Sequence, residues 1–166
     1  VYPQVPHRAC WLDEHADAAM RALDQAIAEL GGDRTRVYLT GLSMGGYGAY
    51  HLALAHPDRF AAMIVVCGGI VPPVTATACR QSPLTMSAAD PYAFTARALR
   101  AIPIRLFHGA DDPIIPASES RRMADALRRE GADVEYVEYA GVGHDSWDRA
   151  YAEPELWPWL LRQHRK

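Results

Sequence analysis

The stretch Val37-Tyr38-Leu39-Thr40-Gly41-Leu42-Ser43-Met44-Gly45-Gly46-Tyr47-Gly48 decides the reading of this chain. Val37-Tyr38-Leu39-Thr40 is short, β-branched and aromatic, which predicts a strand. Gly41 to Gly45 is a G-x-S-x-G match. By composition alone, such a match somewhere in a chain of this length has a probability of roughly 5%. Its context is more telling. A strand leads in, and a helix predicted to run to about His56, where Pro57 stops it, leads out. A strand–turn–helix of this kind holds a serine on a strained turn, with its Oγ aimed out of the carboxyl edge of a sheet. Gly41, Gly45 and Gly46 are expected to be small because side chains there would clash. The Met44 N–H, at a helix N-terminus, is placed to stabilise an oxyanion.

Working outward, residues 13–30 carry Leu12, Ala16, Ala19, Met20, Leu23, Ile27 and Leu30 at helical spacing, ended by Gly31-Gly32. Residues 61–67 (AAMIVVC) suit a strand buried on both faces. Residues 68–100 are irregular and punctuated by proline, with a short helix expected near 92–100. Residues 104–107 and 134–139 read as strands, and Pro116 and Gly131 bracket a helix bearing Met123 and Leu127. The tail, 146–164, reads as helix broken near Pro154 and Pro158. Strands alternating with helices predict one α/β domain over 1–166, with a mainly parallel sheet covered on both faces.

A serine hydroxyl needs a base. Where this elbow occurs, the partners follow in the order Ser, acid, His. Residues 104–107 run into His108-Gly109-Ala110-Asp111-Asp112-Pro113-Ile114-Ile115-Pro116. The pattern H-G-x-x-D-x-x-[VI]-P selects Asp112, with Asp111 as the alternative. After 134–139 comes Gly141-Val142-Gly143-His144. His144 is therefore the expected base, its Nε2 taking the Ser43 proton while Asp112 holds Nδ1–H. The other histidines fit badly. His51 and His56 lie on the helix after the elbow, His7 and His15 precede the nucleophile, and His108 reads as structural.

Composition excludes other classes. Net charge is −3, with no basic stripe for a phosphate backbone, so nucleic acid is not an expected partner. No run approaches the ~18 apolar residues of a membrane span, and the chain reads as soluble. Cys10, Cys67 and Cys79 form no CxxC pair, so no metal site is expected. One disulfide stays open as an option, and Cys67 reads as a buried small residue.

With these motifs, the chain resembles bacterial α/β-hydrolases of the carboxylesterase and phospholipase/carboxylesterase-like type, relatives of feruloyl esterases and polyhydroxybutyrate depolymerases. The resemblance rests on Tyr2-Pro3-Gln4 with Trp11, on VYLTGLSMGGYG (37–48), on HGADDPIIP (108–116), and on GHDSWDRAY (143–151) leading to Trp159-Leu160-Leu161. It implies ester hydrolysis through an acyl-enzyme, with no cofactor and no metal, on a small acyl or aryl ester. Ser43, Asp112 and His144 match its triad and Met44 its first oxyanion donor. Trp11 and Trp147 would lie near the mouth of the site, as pocket walls or as plain packing. Met86, Tyr92 and Phe94 are candidates for a lid or acyl wall.

The front of the resemblance is missing. Only residues 1–12 precede the helix at 13–30, and Pro3-Gln4 resembles the end of a strand. The chain therefore reads as an N-terminally truncated α/β-hydrolase fold, whose open sheet edge a second copy, another chain or an upstream segment would cover. The second oxyanion donor is expected from Gln4 or a backbone N–H within residues 3–11. Two alternatives remain: a prolyl-oligopeptidase-like serine peptidase, and a non-catalytic module or inactive fragment. Nothing indicates a cellular compartment.

Overall fold

A computed structural model describes residues 1–6, 9–73 and 81–165 of the chain. His7 and Cys79 lie outside the described residues. The elements run α1 (Asp13–Leu30), β1 (Tyr38–Leu42), α2 (Met44–Ala55), β2 (Ala62–Val66), α3 (Pro83–Met86), α4 (Pro91–Leu99), β3 (Ile104–Gly109), α5 (Ser118–Arg129), β4 (Val134–Tyr139), α6 (Trp147–Tyr151) and α7 (Leu156–Arg162). The four strands form one parallel sheet in the order β1-β2-β3-β4.

Local chemistry explains most boundaries. Gly31 takes the left-handed conformation that closes α1, and its N–H donates to the Ile27 carbonyl. Asp90 caps α4 by accepting from the N–H groups of Tyr92 and Ala93, with Pro91 at the first helical position. Arg128 and Arg129 sit in the last turn of α5, where they complement its dipole. Two expectations change. Residues 1–6 form no strand, so Pro3-Gln4 does not end one. The tail breaks around Pro154 but not at Pro158, which sits in the first turn of α7, where a missing N–H removes no helical bond.

The sheet separates two apolar layers. Met63 and Val65 of β2, with Ile104 and Leu106 of β3, face one layer. There they meet Ala16 and Met20 of α1, Ala53 of α2, Ala96 and Leu99 of α4, and Met123 and Leu127 of α5. Ala62, Ile64 and Val66 of β2 face the other layer with Phe107, Tyr139, Trp159 and Leu160. All five residues of β2 are buried, which accounts for its unbroken apolar run. Each of Met63, Ile64 and Val65 contributes about 2 kcal/mol by leaving water. Among the described residues, no helix is long and apolar enough to cross a membrane. Cys67 is a free thiol.

Candidate active site

β1 ends at Leu42 and α2 begins at Met44, leaving Ser43 alone to turn the chain. Its φ of 51° and ψ of −120° lie where a non-glycine residue costs about 1–3 kcal/mol. Two bonds hold it there: the Ser43 N–H donates to the Val66 carbonyl at 2.9 Å, and the Ser43 carbonyl accepts from the Gly46 N–H at 2.9 Å. Gly41 gives the turn its room. A Cβ there would run into the Gly45 carbonyl and lie 2.9 Å from the Gly46 nitrogen. Gly46 is tight as well, since its Cβ would lie 2.8 Å from the Gly68 Cα. The expectation for Gly45 fails: a Cβ on Gly45 meets nothing within 4 Å. Gly45, the second glycine of the motif, contributes its carbonyl to the crowding, not its own lack of a side chain.

β3 and β4 deliver the other two groups to the same carboxyl edge. Ser43 Oγ lies 2.8 Å from His144 Nε2, and His144 Nδ1 lies 2.7 Å from Asp112 Oδ2. Asp111 is exposed, whereas the Asp112 side chain is fully buried, so the structure separates the two aspartates. Asp112 Oδ1 accepts from the N–H groups of Ile114 (2.8 Å) and Ile115 (2.9 Å). Burial alone would push the Asp112 carboxyl up. The hydrogen bond from His144 and those from Ile115 and Ile114 outweigh it and hold the group below its ordinary range. The Trp147 ring meets the His144 ring edge-on at 5.7 Å. Met44 is the first residue of α2, so its N–H has no acceptor inside the helix.

The loops bearing Asp112 and His144 are joined backbone to backbone. The Ala110 N–H donates to the Tyr139 carbonyl at 2.9 Å, and the Asp111 N–H to the Val142 carbonyl at 3.0 Å. Gly109 makes this approach possible, because its Cβ would strike the carbonyls of Gly143 and Val142.

The remaining candidates divide. Trp11 packs against α2 at Gly48, where a Cβ would lie 2.8 Å from its Cδ1. With Tyr47, Gly48, His51, Ile70 and Thr85 it lines a shallow cleft. Gln4 is exposed, and no hydrogen bond ties it to a described residue. Met86 and Phe94 are exposed, but Tyr92 is 2% exposed and donates to Glu119 Oε1 at 2.5 Å, so it serves the interior and is no part of a lid. Cys67 is fully buried behind the elbow, and burial pushes its thiol up to about 11.

Sequence reasoning missed Glu119. Its Oε2 accepts from the N–H groups of Ile70 (3.1 Å) and Val71 (3.2 Å), which anchors the loop leaving β2 to α5. The signal was available: Glu119 shares a helical face with Met123 and Leu127, and a carboxylate on an apolar face needs partners.

The sign of these shifts gives a pH expectation for stability. Glu138 is held down to about 2, first by its hydrogen bond from Arg121 and then by that from Tyr136. A carboxylate lowered on folding adds stability above its unfolded pKa and loses it as pH falls through its folded pKa. Asp112 and Glu138 should therefore make the urea midpoint drop from pH 5 toward pH 2. The Glu138→Gln variant should show a shallower drop.

The model of the prolyl oligopeptidase family matches residues 8–165. The chain belongs to that family. Prolyl oligopeptidase family membership fits the fold found here, and the solved structures agree. A thermostable esterase is 29% identical, with a TM-score of 0.81 over 98% of this chain and 43% of its own. An acylaminoacyl peptidase of Pyrococcus horikoshii is 21% identical, with a TM-score of 0.63 over 80% of this chain and 24% of its own, a likeness of fold alone. Among curated relatives, acyl-protein thioesterase 1 of Gibberella zeae is 39% identical over 47 residues, which are 28% of this chain and 20% of the relative. The isoprenylcysteine alpha-carbonyl methylesterase ICME of Arabidopsis thaliana is 50% identical over 42 residues, 25% of this chain and 10% of the relative. The matched stretches thus span a fifth or less of the curated relatives. The chain is an α/β-hydrolase of the prolyl oligopeptidase family with esterase- and thioesterase-like relatives.

Proposed function

We propose that this chain is a serine carboxylesterase that cleaves small acyl or aryl esters through an acyl-enzyme on Ser43. The observation that carries the reading is the unbroken chain Ser43 Oγ, His144 Nε2, His144 Nδ1 and Asp112 Oδ2, with links of 2.8 and 2.7 Å. His144 removes the Ser43 proton as Oγ attacks the ester carbonyl carbon. The oxyanion develops toward the Met44 N–H. The tetrahedral intermediate collapses, and the leaving alcohol takes the proton from His144. Water then gives a proton to His144 as it attacks the acyl carbon, and His144 returns that proton to Ser43 Oγ as the acid leaves. Every step uses side chains or backbone of this chain, and none calls on a cofactor or a metal. Only the neutral imidazole can accept the Ser43 proton.

A second oxyanion donor would come from Gln4 or a backbone N–H near it. If the Gln4 side chain serves, Gln4→Ala should lower kcat by roughly 10²–10³-fold. Unchanged turnover removes that version. Trp147, edge-on to His144, and Trp11, on the cleft beside α2, are the proposed walls for the acyl or aryl group.

Family membership favours a second reading, peptide-bond cleavage by the same triad. Ester chemistry is preferred on the thermostable esterase, which matches 98% of this chain. Short-chain p-nitrophenyl esters assayed against a proline-containing peptide anilide separate the two. Failure of a fluorophosphonate to label Ser43 would reject both and favour a non-catalytic module.

A further inference from the structure

Asp112 Oδ2 serves two imidazoles. Besides His144, it lies 3.1 Å from Nε2 of His108, a fully buried residue on β3. The same Nε2 lies 3.0 Å from the Ile115 carbonyl oxygen, and His108 Nδ1 lies 2.7 Å from Ser120 Oγ on α5. A carbonyl and a carboxylate only accept, so Nε2 carries the proton and divides it between them. In the neutral ring, Nδ1 then accepts from the Ser120 hydroxyl. The result is a relay of five side chains: Ser120, His108, Asp112, His144 and Ser43.

We propose that His108 is a positioning residue for this triad: it shares Asp112 Oδ2 with His144 and, oriented from behind by Ser120, sets how strongly that carboxylate holds the base. The inference rests on the reading of Ser43, His144 and Asp112 as catalytic. Packing alone does not account for the arrangement, since an apolar ring would fill the space without three polar partners. A neutral His108 is required. A cation there would neutralise Asp112 and leave the His144 imidazolium unsupported during the reaction. Burial, acting first, holds the His108 pKa below that of an ordinary imidazole. The groups facing it are Asp112 in the following loop, Ser120 from α5, His144 beyond Asp112, and Glu138 opposite it in β4. Glu138 is itself engaged by Arg121 and Tyr136.

Removing the His108 donor leaves the charge of Oδ2 to His144 alone. His144 should then keep its proton to higher pH, and a loosened carboxylate should orient it less well. In His108→Leu, the acidic limb of the fluorophosphonate labelling rate and of ester kcat/KM should move to higher pH. At pH 8 kcat should fall roughly tenfold with KM little changed. His108→Gln, which restores an N–H near the position of Nε2, should return the limb toward that of the wild type. Ser120→Ala should shift it in the same direction as His108→Leu, by less. A labelled wild type whose His108→Leu and Ser120→Ala variants keep its pH profile overturns the role of His108 alone. A wild type that is not labelled overturns the triad reading beneath it. Should His108→Leu fail to fold, ¹⁵N NMR of the wild type decides. A neutral Nε2–H tautomer from pH 5 to 9 is expected, and an Nδ1–H tautomer or a titration in that range overturns the proposal.

Discussion

Ser43→Ala is expected to remove ester hydrolysis by roughly 10⁴–10⁶-fold while leaving the fold intact. The loss is large because the hydroxyl is the only atom proposed to bond to the acyl group. His144 and Asp112 without it can do no more than assist water. The fold should survive because the elbow is held by backbone bonds, Ser43 N–H to Val66 and Gly46 N–H to the Ser43 carbonyl, which alanine keeps. The left-handed φ of 51° is as strained for alanine as for serine, so the urea midpoint should move little. Turnover of a p-nitrophenyl ester and fluorophosphonate labelling are the two measurements. Hydrolysis at the wild-type rate by Ser43→Ala would move the chemistry elsewhere.

Gly41→Ala carries the second largest expected effect, and it falls on stability. The new Cβ would occupy the place of the Gly45 carbonyl, a backbone group at the start of α2 that has no rotamer to move aside. Accommodating it requires shifting α2 away from β1, and Ser43 with it. The cost should be at least about 3 kcal/mol, read as a lower urea midpoint or a loss of folded protein. Gly45→Ala is the matched control. It adds the same methyl two residues from Ser43, but into open space and within a helix, where alanine is favoured by about 1 kcal/mol. Equal damage from both substitutions would refute the backbone-collision account.

The contrast between these glycines shows where sequence stopped being informative. G-x-S-x-G names its two glycines alike, yet which of them needs to be small depends on what approaches from elsewhere. Gly46 is tight because Gly68, twenty-two residues on, closes against it. Long periodic elements were legible because their signals are local: α1 and β4 fall on the expected residues, 13–30 and 134–139. α3 was not, since four residues carry no period and only Ser82 and Pro83 mark its start. Asp112 was legible by its spacing from His108, but the contact between them was not. It needs β3 to end and the loop to fold back, so that an i, i+4 pair outside any helix can meet. His108 consequently read as structural until its ring could be seen on the carboxylate. Glu119 was overlooked for a different reason: its partners Ile70 and Val71 lie in the stretch with least pattern.

The union of Gly109 with Val142 and Gly143 limits how this fold can change. The loops of Asp112 and His144 interlock through main-chain atoms, with Ala110 and Asp111 donating to Tyr139 and Val142. Neither loop can be lengthened, transplanted or recombined without disturbing its mate, so the two behave as one unit drawn from two separate stretches of the chain. The segment leaving β2 is held differently, through a side chain, with the N–H groups of Ile70 and Val71 donating to the Glu119 carboxylate. Diversification of substrate preference should therefore concentrate after β2, and chimeras should cross over outside residues 109–143 as a block.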